Sequence, residues 1–184
     1  MSHEVRMLGT GNAFLPHLRY HSFLIFDGKH IIDAPPTALI SLRREGISPA
    51  DIETIFITHL HGDHVFGLPF LLLERKYISD REGGQPLTIV GSSGVRERLQ
   101  LLCDLAFPGS LDDAMDNIRF VETQSGTIDG WGWERFRVQH VEAVDPYGYS
   151  FQHSDGCSFV HSGDSGPCEN LEHAIGQTQL AVVE

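Results

Sequence analysis

The chain has 184 residues, 41% of them hydrophobic, enough for one domain with a sizeable core and too few for two ordinary ones. Its 25 acids against 13 bases give a net charge of −12, and the densest basic cluster is Arg43-Arg44. The basic face with which proteins grip long RNA or DNA is missing, so such ligands are disfavoured.

Three cysteines (Cys103, Cys157, Cys168) form no CxxC pair, which points to reduced thiols in the cytoplasm rather than a disulfide framework. Residues 1–6 carry mixed charge and no apolar run, so no signal peptide is expected. The longest apolar run, residues 68–73, contains Pro69 and is far too short to span a membrane. Nineteen glycines and few helix-period stretches favour a sheet-containing protein with many turns.

Residues 5–8 read as a first strand, stopped by Gly9-Thr10-Gly11-Asn12. Residues 22–26 and 30–33 read as two strands joined by the Asp27-Gly28 turn, a hairpin signal. Residues 37–45 read as a helix with Thr37 at its start and Gly46 in the C-terminal capping position. Residues 54–58 are β-branched and apolar, hence a buried strand, and run directly into His59. Residues 65–77 look helical despite Pro69, 87–90 form a short strand, and 95–105 an amphipathic helix. Strands follow at 118–122, 134–140, 147–152 and 158–160, then a helix at 169–175 and a last strand at 180–183. Hairpins first, then strands alternating with helices, suggest a sheet core with helices outside, in a single domain over residues 1–184.

The segment Thr58-His59-Leu60-His61-Gly62-Asp63-His64 packs three imidazoles and one carboxylate into six residues. Imidazole with carboxylate suits zinc, manganese or iron. His59 and His61 stand two apart in extended chain and share one side. Gly62 then permits a sharp turn from which Asp63 and His64 leave at another angle, so one loop can serve two adjacent metals. The plain alternative is a loop of solvent-facing histidines in a chain that has eleven of them.

This HxHxDH pattern resembles the signature of the metallo-β-lactamase superfamily. The longer stretch from Ile57 to Pro69 is similar to the branch containing ribonuclease Z and its phosphodiesterase relatives. Leu8-Gly9-Thr10-Gly11 with Arg19 and Ser22, Pro146-Tyr147-Gly148-Tyr149, and Ser162-Gly163-Asp164-Ser165 with Pro167-Cys168-Glu169 resemble further segments of that branch, in order. The resemblance implies an α/β fold, the metallo-β-lactamase αββα sandwich. It implies that His59, His61 and His140 hold one metal, Asp63 and His64 a second, and that Asp164 bridges them. It further implies a hydroxide nucleophile, which Asp63 helps to orient, and a cofactor of one or two zinc ions, with manganese or iron as alternatives.

Taken alone, His140 is an ordinary strand-end residue and Asp164 a turn aspartate. Asp33, at a strand end, either orients the histidine loop through a hydrogen bond or is a turn residue before Pro35-Pro36, where the family usually has Cys-Gly. Gly9 and Gly11 either let backbone approach a phosphate or simply make a turn. His153 and His161 match no family role and read as surface or supporting residues.

Two departures from the family bear on function. His140 and Asp164 stand 24 residues apart, too few for the inserted arm with which tRNA-processing members grip RNA. This favours a small phosphodiester, such as a cyclic nucleotide, or another small ester. The chain also stops at Glu184, where the family continues to a further histidine ligand and a leaving-group histidine. Read as a fragment or a naturally short protein, it has a C-terminally truncated fold. In a naturally short protein the second metal site loses a ligand and is vacant, weakened, or completed by water or a partner chain. The sheet edge so exposed favours a homo-oligomer.

Three alternatives remain: hydrolysis of a thioester, lactone or lactam, a non-catalytic metal-binding domain, and, on Gly163-Asp164-Ser165-Gly166, a serine hydrolase.

Overall fold

The computed structural model describes residues 3–184. Its contacts gather into two compact units, one of His61–Glu122 with the described residues up to Ile57, the other of Thr58–Leu60 with Thr123–Glu184.

The first unit is built on a six-stranded sheet: β1 (Val5–Gly9), β2 (Phe23–Phe26), β3 (His30–Ile32), β4 (Thr54–Phe56), β5 (Leu87–Val90) and β6 (Ile118–Val121), paired in that order. β1 to β3 pair antiparallel and β3 to β6 parallel. The switch follows from the connections. Asp27 and Gly28 both take positive φ (49° and 71°), as a tight hairpin turn requires, whereas each later strand is reached by a crossover that returns parallel. β2, β3 and β4 are buried along their whole length, including His30 and Thr54, the polar residues that open the last two.

The helices of this unit are α1 (Ala38–Arg44), α2 (Gly62–Val65), α3 (Leu68–Glu74) and α4 (Val95–Ala106). α1 ends in a Schellman motif: Ile47 N–H donates to Leu42 O (2.9 Å) and Gly46 N–H to Arg43 O (3.2 Å), with Gly46 at φ 71°. Thr37 precedes α1 but its side chain does not cap it. α4 buries Val95, Leu99 and Cys103 at a four-residue spacing, and burial pushes the Cys103 thiol up to about 12.

The single helix expected over 65–77 is instead α2, a break at Phe66-Gly67, α3, and a π turn over Arg75–Ser79. Pro69 falls in the first turn of α3, where its missing N–H costs nothing, and so starts a helix rather than interrupting one.

The second unit is a five-stranded sheet in the order β11-β10-β9-β8-β7. Its strands are β7 (Ser125–Ile128), β8 (Trp131–Arg137), β9 (Tyr147–His153), β10 (Ser158–His161) and β11 (Leu180–Val182), with α5 (Glu169–Gly176) before the last. β8 alternates, burying Trp131, Trp133 and Arg135. Phe151 and Phe159 stack at 4.5 Å, and Trp131 meets Phe159 edge-on at 5.5 Å. Two sequence expectations shift here. β8 begins three residues earlier than expected and stops at Arg137 rather than reaching His140, and β7 was not foreseen, because Ser-Gly-Thr-Ile carries no apolar alternation. No helix among the described residues is long and apolar enough to cross a membrane.

Gly67 is the tightest backbone approach that bears on the histidine loop. Its N–H donates to Ala34 O (2.8 Å), and a Cβ there would lie 1.9 Å from Pro35 O. Gly67→Ala should therefore destabilise the fold by about 1–3 kcal/mol, the usual cost of overpacking. Urea unfolding at constant m-value checks this, and an unchanged midpoint would refute it.

Candidate metal centre

In the second unit, three separate backbone segments are tied together. Tyr147 N–H donates to Thr58 O (2.9 Å), Leu60 N–H to Val144 O (3.3 Å), and Gly166 N–H to Gln139 O (2.8 Å). These bonds bring His59, His140 and Asp164 into one cluster, with a ligand atom from each within 4.8 Å of the others. Nε2 of His59 lies 3.9 Å and Nε2 of His140 3.8 Å from the same Asp164 Oδ2. Both gaps are too long for hydrogen bonds. They suit donors arranged around a cation held at about 2.0–2.2 Å from each. The two imidazoles meet edge to face at 5.0 Å.

The ring of His59 is held from behind. Its Nδ1 lies 3.0 Å from the Thr58 hydroxyl, and both residues are buried. With Nδ1–H donating to that oxygen, Nε2 keeps its lone pair. Thr58 also packs against Gly163, where a Cβ would meet Thr58 Cβ at 2.9 Å and Tyr147 O at 2.9 Å. Glycine is thus required at φ 60° immediately before Asp164.

In the first unit, Asp63 and His64 belong to the single turn of α2, with His61 as its N-terminal flanking residue. His61 O accepts from His64 N–H (3.1 Å) and Val65 N–H (3.2 Å). His64 Nε2 lies 3.5 Å from Asp63 Oδ2, while His64 Nδ1 lies 2.7 Å from Asp33 Oδ2. Asp33 and His64 are almost fully buried. Asp33 takes φ 65°, uncommon for a residue other than glycine, and its N–H donates to Phe56 O (2.7 Å). The loop that follows is tied to the same turn, with Ala34 N–H donating to His64 O (2.7 Å).

Gly62 has a role other than the sharp turn expected of it. It opens α2 at ordinary φ, and its missing Cβ leaves room for the Phe66 ring, whose atoms would otherwise lie 2.5 Å away. Gly9 and Gly11 pack against residues 19–21, with Gly9's absent Cβ 1.9 Å from His21 O. Gly11 N–H donates to Tyr20 O and Ser22 N–H to Gly11 O, both at 2.6 Å. Close backbone pairing accounts for both glycines. His161 is buried, and His153 lies beside Asp155 at 2.9 Å.

Sequence reasoning passed over His21, which is buried on the first unit with Nδ1 3.2 Å from the Thr37 hydroxyl. Its pKa is lowered by burial, against the opposing pull of the Asp63 carboxylate, with His64 adding to the depression. The only sequence signal was its place beside Ser22 in the N-terminal motif.

The α/β fold of the two units and the His59-to-His64 motif belong to the metallo-β-lactamase superfamily, in its ribonuclease Z-like branch. The family model described as anti-Pycsar protein Apyc1 matches residues 3–183, and the chain belongs to that family.

It is 35% identical over 154 residues to a ribonuclease Z of Nanoarchaeum equitans, covering 82% of this chain and 46% of that protein. The short form of human tRNase Z aligns at TM-score 0.68 and 24% identity, over 90% of this chain and 71% of that one. A diphosphatase of the PhnP family aligns at TM-score 0.62 and 21% identity, over 94% and 70%. The chain spans about half the length of the curated relatives it matches.

Two outcomes follow from this geometry. Asp33→Ala leaves the buried His64 N–H without its acceptor and should cost about 1–3 kcal/mol in chemical denaturation, with Asp33→Asn milder because it keeps an acceptor and tolerates positive φ. Equal losses would show that the carboxylamide cannot replace the carboxylate.

Since folding lowers the His21 pKa, the stability it contributes is present above the unfolded imidazole value and is lost as pH falls through the folded value. The drop in urea midpoint from pH 8 to pH 5 should shrink in His21→Asn, and an unaltered pH profile would refute this.

Proposed function

We propose that the chain is a metal-dependent hydrolase acting on a small phosphodiester, with His59, His61 and His140 holding one metal, Asp63 and His64 a second, and Asp164 shared between them. The observation that carries this reading is the pair of long Nε2–Oδ2 separations, 3.9 and 3.8 Å, converging on one Asp164 oxygen. The nitrogen and oxygen donor set fits zinc, with manganese or iron also acceptable. When bound, the metal supplies Lewis acidity and makes water a competent nucleophile at neutral pH.

The protein's own groups do the positioning. Thr58 and Asp33 keep the rings of His59 and His64 in the ligating tautomer. Asp63, part-exposed beside His64, orients the attacking water through its carboxylate.

A small substrate is favoured because β9 and β10, with their short turn, take up most of the interval between His140 and Asp164, and because the net charge of −12 repels a polyphosphate. The naming of the curated relatives as ribonucleases favours RNA as a second reading.

The test is metal analysis and a substrate panel on untagged protein. Hydrolysis of bis(p-nitrophenyl) phosphate and cyclic nucleotides, faster than of a tRNA precursor and abolished by chelation, is expected. Preference for tRNA would move the assignment to the second reading, and preference for thioester, lactone or lactam would overturn the phosphodiester assignment.

His61→Ala should lose metal and at least about 100-fold in activity, as removal of a central ligand does, while Asp164→Asn should keep one metal and weaken the second. Activity that survives chelation but dies in Ser165→Ala would overturn the metal mechanism.

A further inference from the structure

Of the buried ionisable groups the proposed chemistry leaves unused, His161 stands nearest the shared aspartate in the chain. It is the last residue of β10, paired with Tyr149 of β9 on one side and Val182 of β11 on the other, and is almost fully buried. Strand position and burial both call for an apolar residue there, as at Phe159 and Val160. A histidine in such a place must satisfy its ring nitrogens.

Its Nδ1 accepts the Gly163 N–H at 3.0 Å. The next residue, Ser162, is equally buried. Its hydroxyl donates to Gly163 O at 2.6 Å while accepting from Glu184 N–H at 2.9 Å.

The two bonds act on different peptide planes. The Gly163 N–H belongs to the peptide before its Cα, and the Gly163 C=O to the peptide after it. Holding both fixes φ and ψ of the one residue in this segment free to rotate through the left-handed region, where it sits at φ 60°. Asp164 follows immediately, so those two dihedrals set the orientation of the backbone from which its carboxylate departs.

We propose that His161 is a positioning residue for the Asp164 carboxylate. Its Nδ1 acts as a fixed acceptor that locks the Gly163 turn and aims Asp164 Oδ2 at the place where His59 and His140 Nε2 converge. The inference rests on Asp164 being a metal ligand, as proposed above. The consequence for His161 itself is a single tautomer, with the ring proton on Nε2 and Nδ1 bare.

Zinc affinity measured by competition with a chromophoric chelator, together with ring nitrogen NMR, tests this. In metal-free wild-type protein, the His161 resonances should report an Nε2–H tautomer with Nδ1 accepting, and the Gly163 amide should be protected from exchange. An Nδ1–H tautomer or a fast-exchanging Gly163 amide would overturn the proposal.

His161→Asn, whose side-chain oxygen sits where Nδ1 was, should bind zinc within about threefold of wild type. His161→Leu, similar in size but with no acceptor, should lose at least tenfold. Equal zinc affinity in the leucine and wild-type proteins would overturn the proposal, as would an asparagine variant as weak as the leucine one with a native circular dichroism spectrum. Should the leucine variant fail to fold, the asparagine variant and the tautomer decide. Wild-type protein that binds no zinc would instead remove the metal reading, and the tautomer and amide exchange would still show whether His161 holds the turn.

Discussion

A histidine serves as a metal ligand when one ring nitrogen is kept protonated by an acceptor and the other is left bare and aimed. Much of the local structure around the cluster meets that requirement. Thr58 stands behind His59 at 3.0 Å, and Asp33 behind His64 at 2.7 Å. Asp33 holds a φ of 65° just beyond β3 while its carboxylate meets the buried His64 ring, 31 residues further along the chain. Such strain is tolerable because the Asp33 N–H is still paired, with Phe56 O at 2.7 Å.

Close backbone approach is the second constraint, and within each unit it explains the glycines better than flexibility does. Gly163 has Thr58 and Tyr147 against it, Gly67 has Pro35, and Gly9 has His21. At each of these a side chain would push apart the segments whose hydrogen bonds carry the functional residues. Only Gly163 also needs its positive φ. The Ala34-Pro35-Pro36 loop belongs to the same arrangement. Its Ala34 carbonyl accepts from Gly67 N–H and its Ala34 N–H donates to His64 O, and the prolines that follow give those atoms a stiff backbone.

The chemistry that such a cluster supports is broad, since a metal cradle of imidazole and carboxylate hydrolyses many kinds of ester. Selection among them falls to charge and to the loops. The net charge of −12 and the short His140-to-Asp164 interval favour the small substrate of the proposed reading, whereas the curated relatives matched are named as ribonucleases. The pull between those two facts makes the substrate panel informative in either direction.

The sequence by itself determined the superfamily, most of the order of elements and which residue types stand together in the histidine motif. Those features are local: strand residues 54–56 lead through Ile57 and Thr58 into His59-Leu60-His61-Gly62-Asp63-His64, and period, turn residues and donor chemistry are all written in neighbouring positions. What it left open were matters of distance. Asp33 read equally well as a turn residue, Gly9 and Gly11 as a phosphate loop, His161 as a surface or supporting residue, and His21 and Thr58 were assigned nothing, because the partner of each polar group depends on how the chain folds rather than on residue type. β7 was missed because its residues are held by pairing with β8 rather than by any apolar pattern of their own. Hydrogen bonds such as Asp33 to His64, and steric limits such as those at Gly163, exist only once segments far apart in the chain lie side by side, so the tertiary structure alone decided which polar residues stand behind the candidate ligands and which glycines the fold requires.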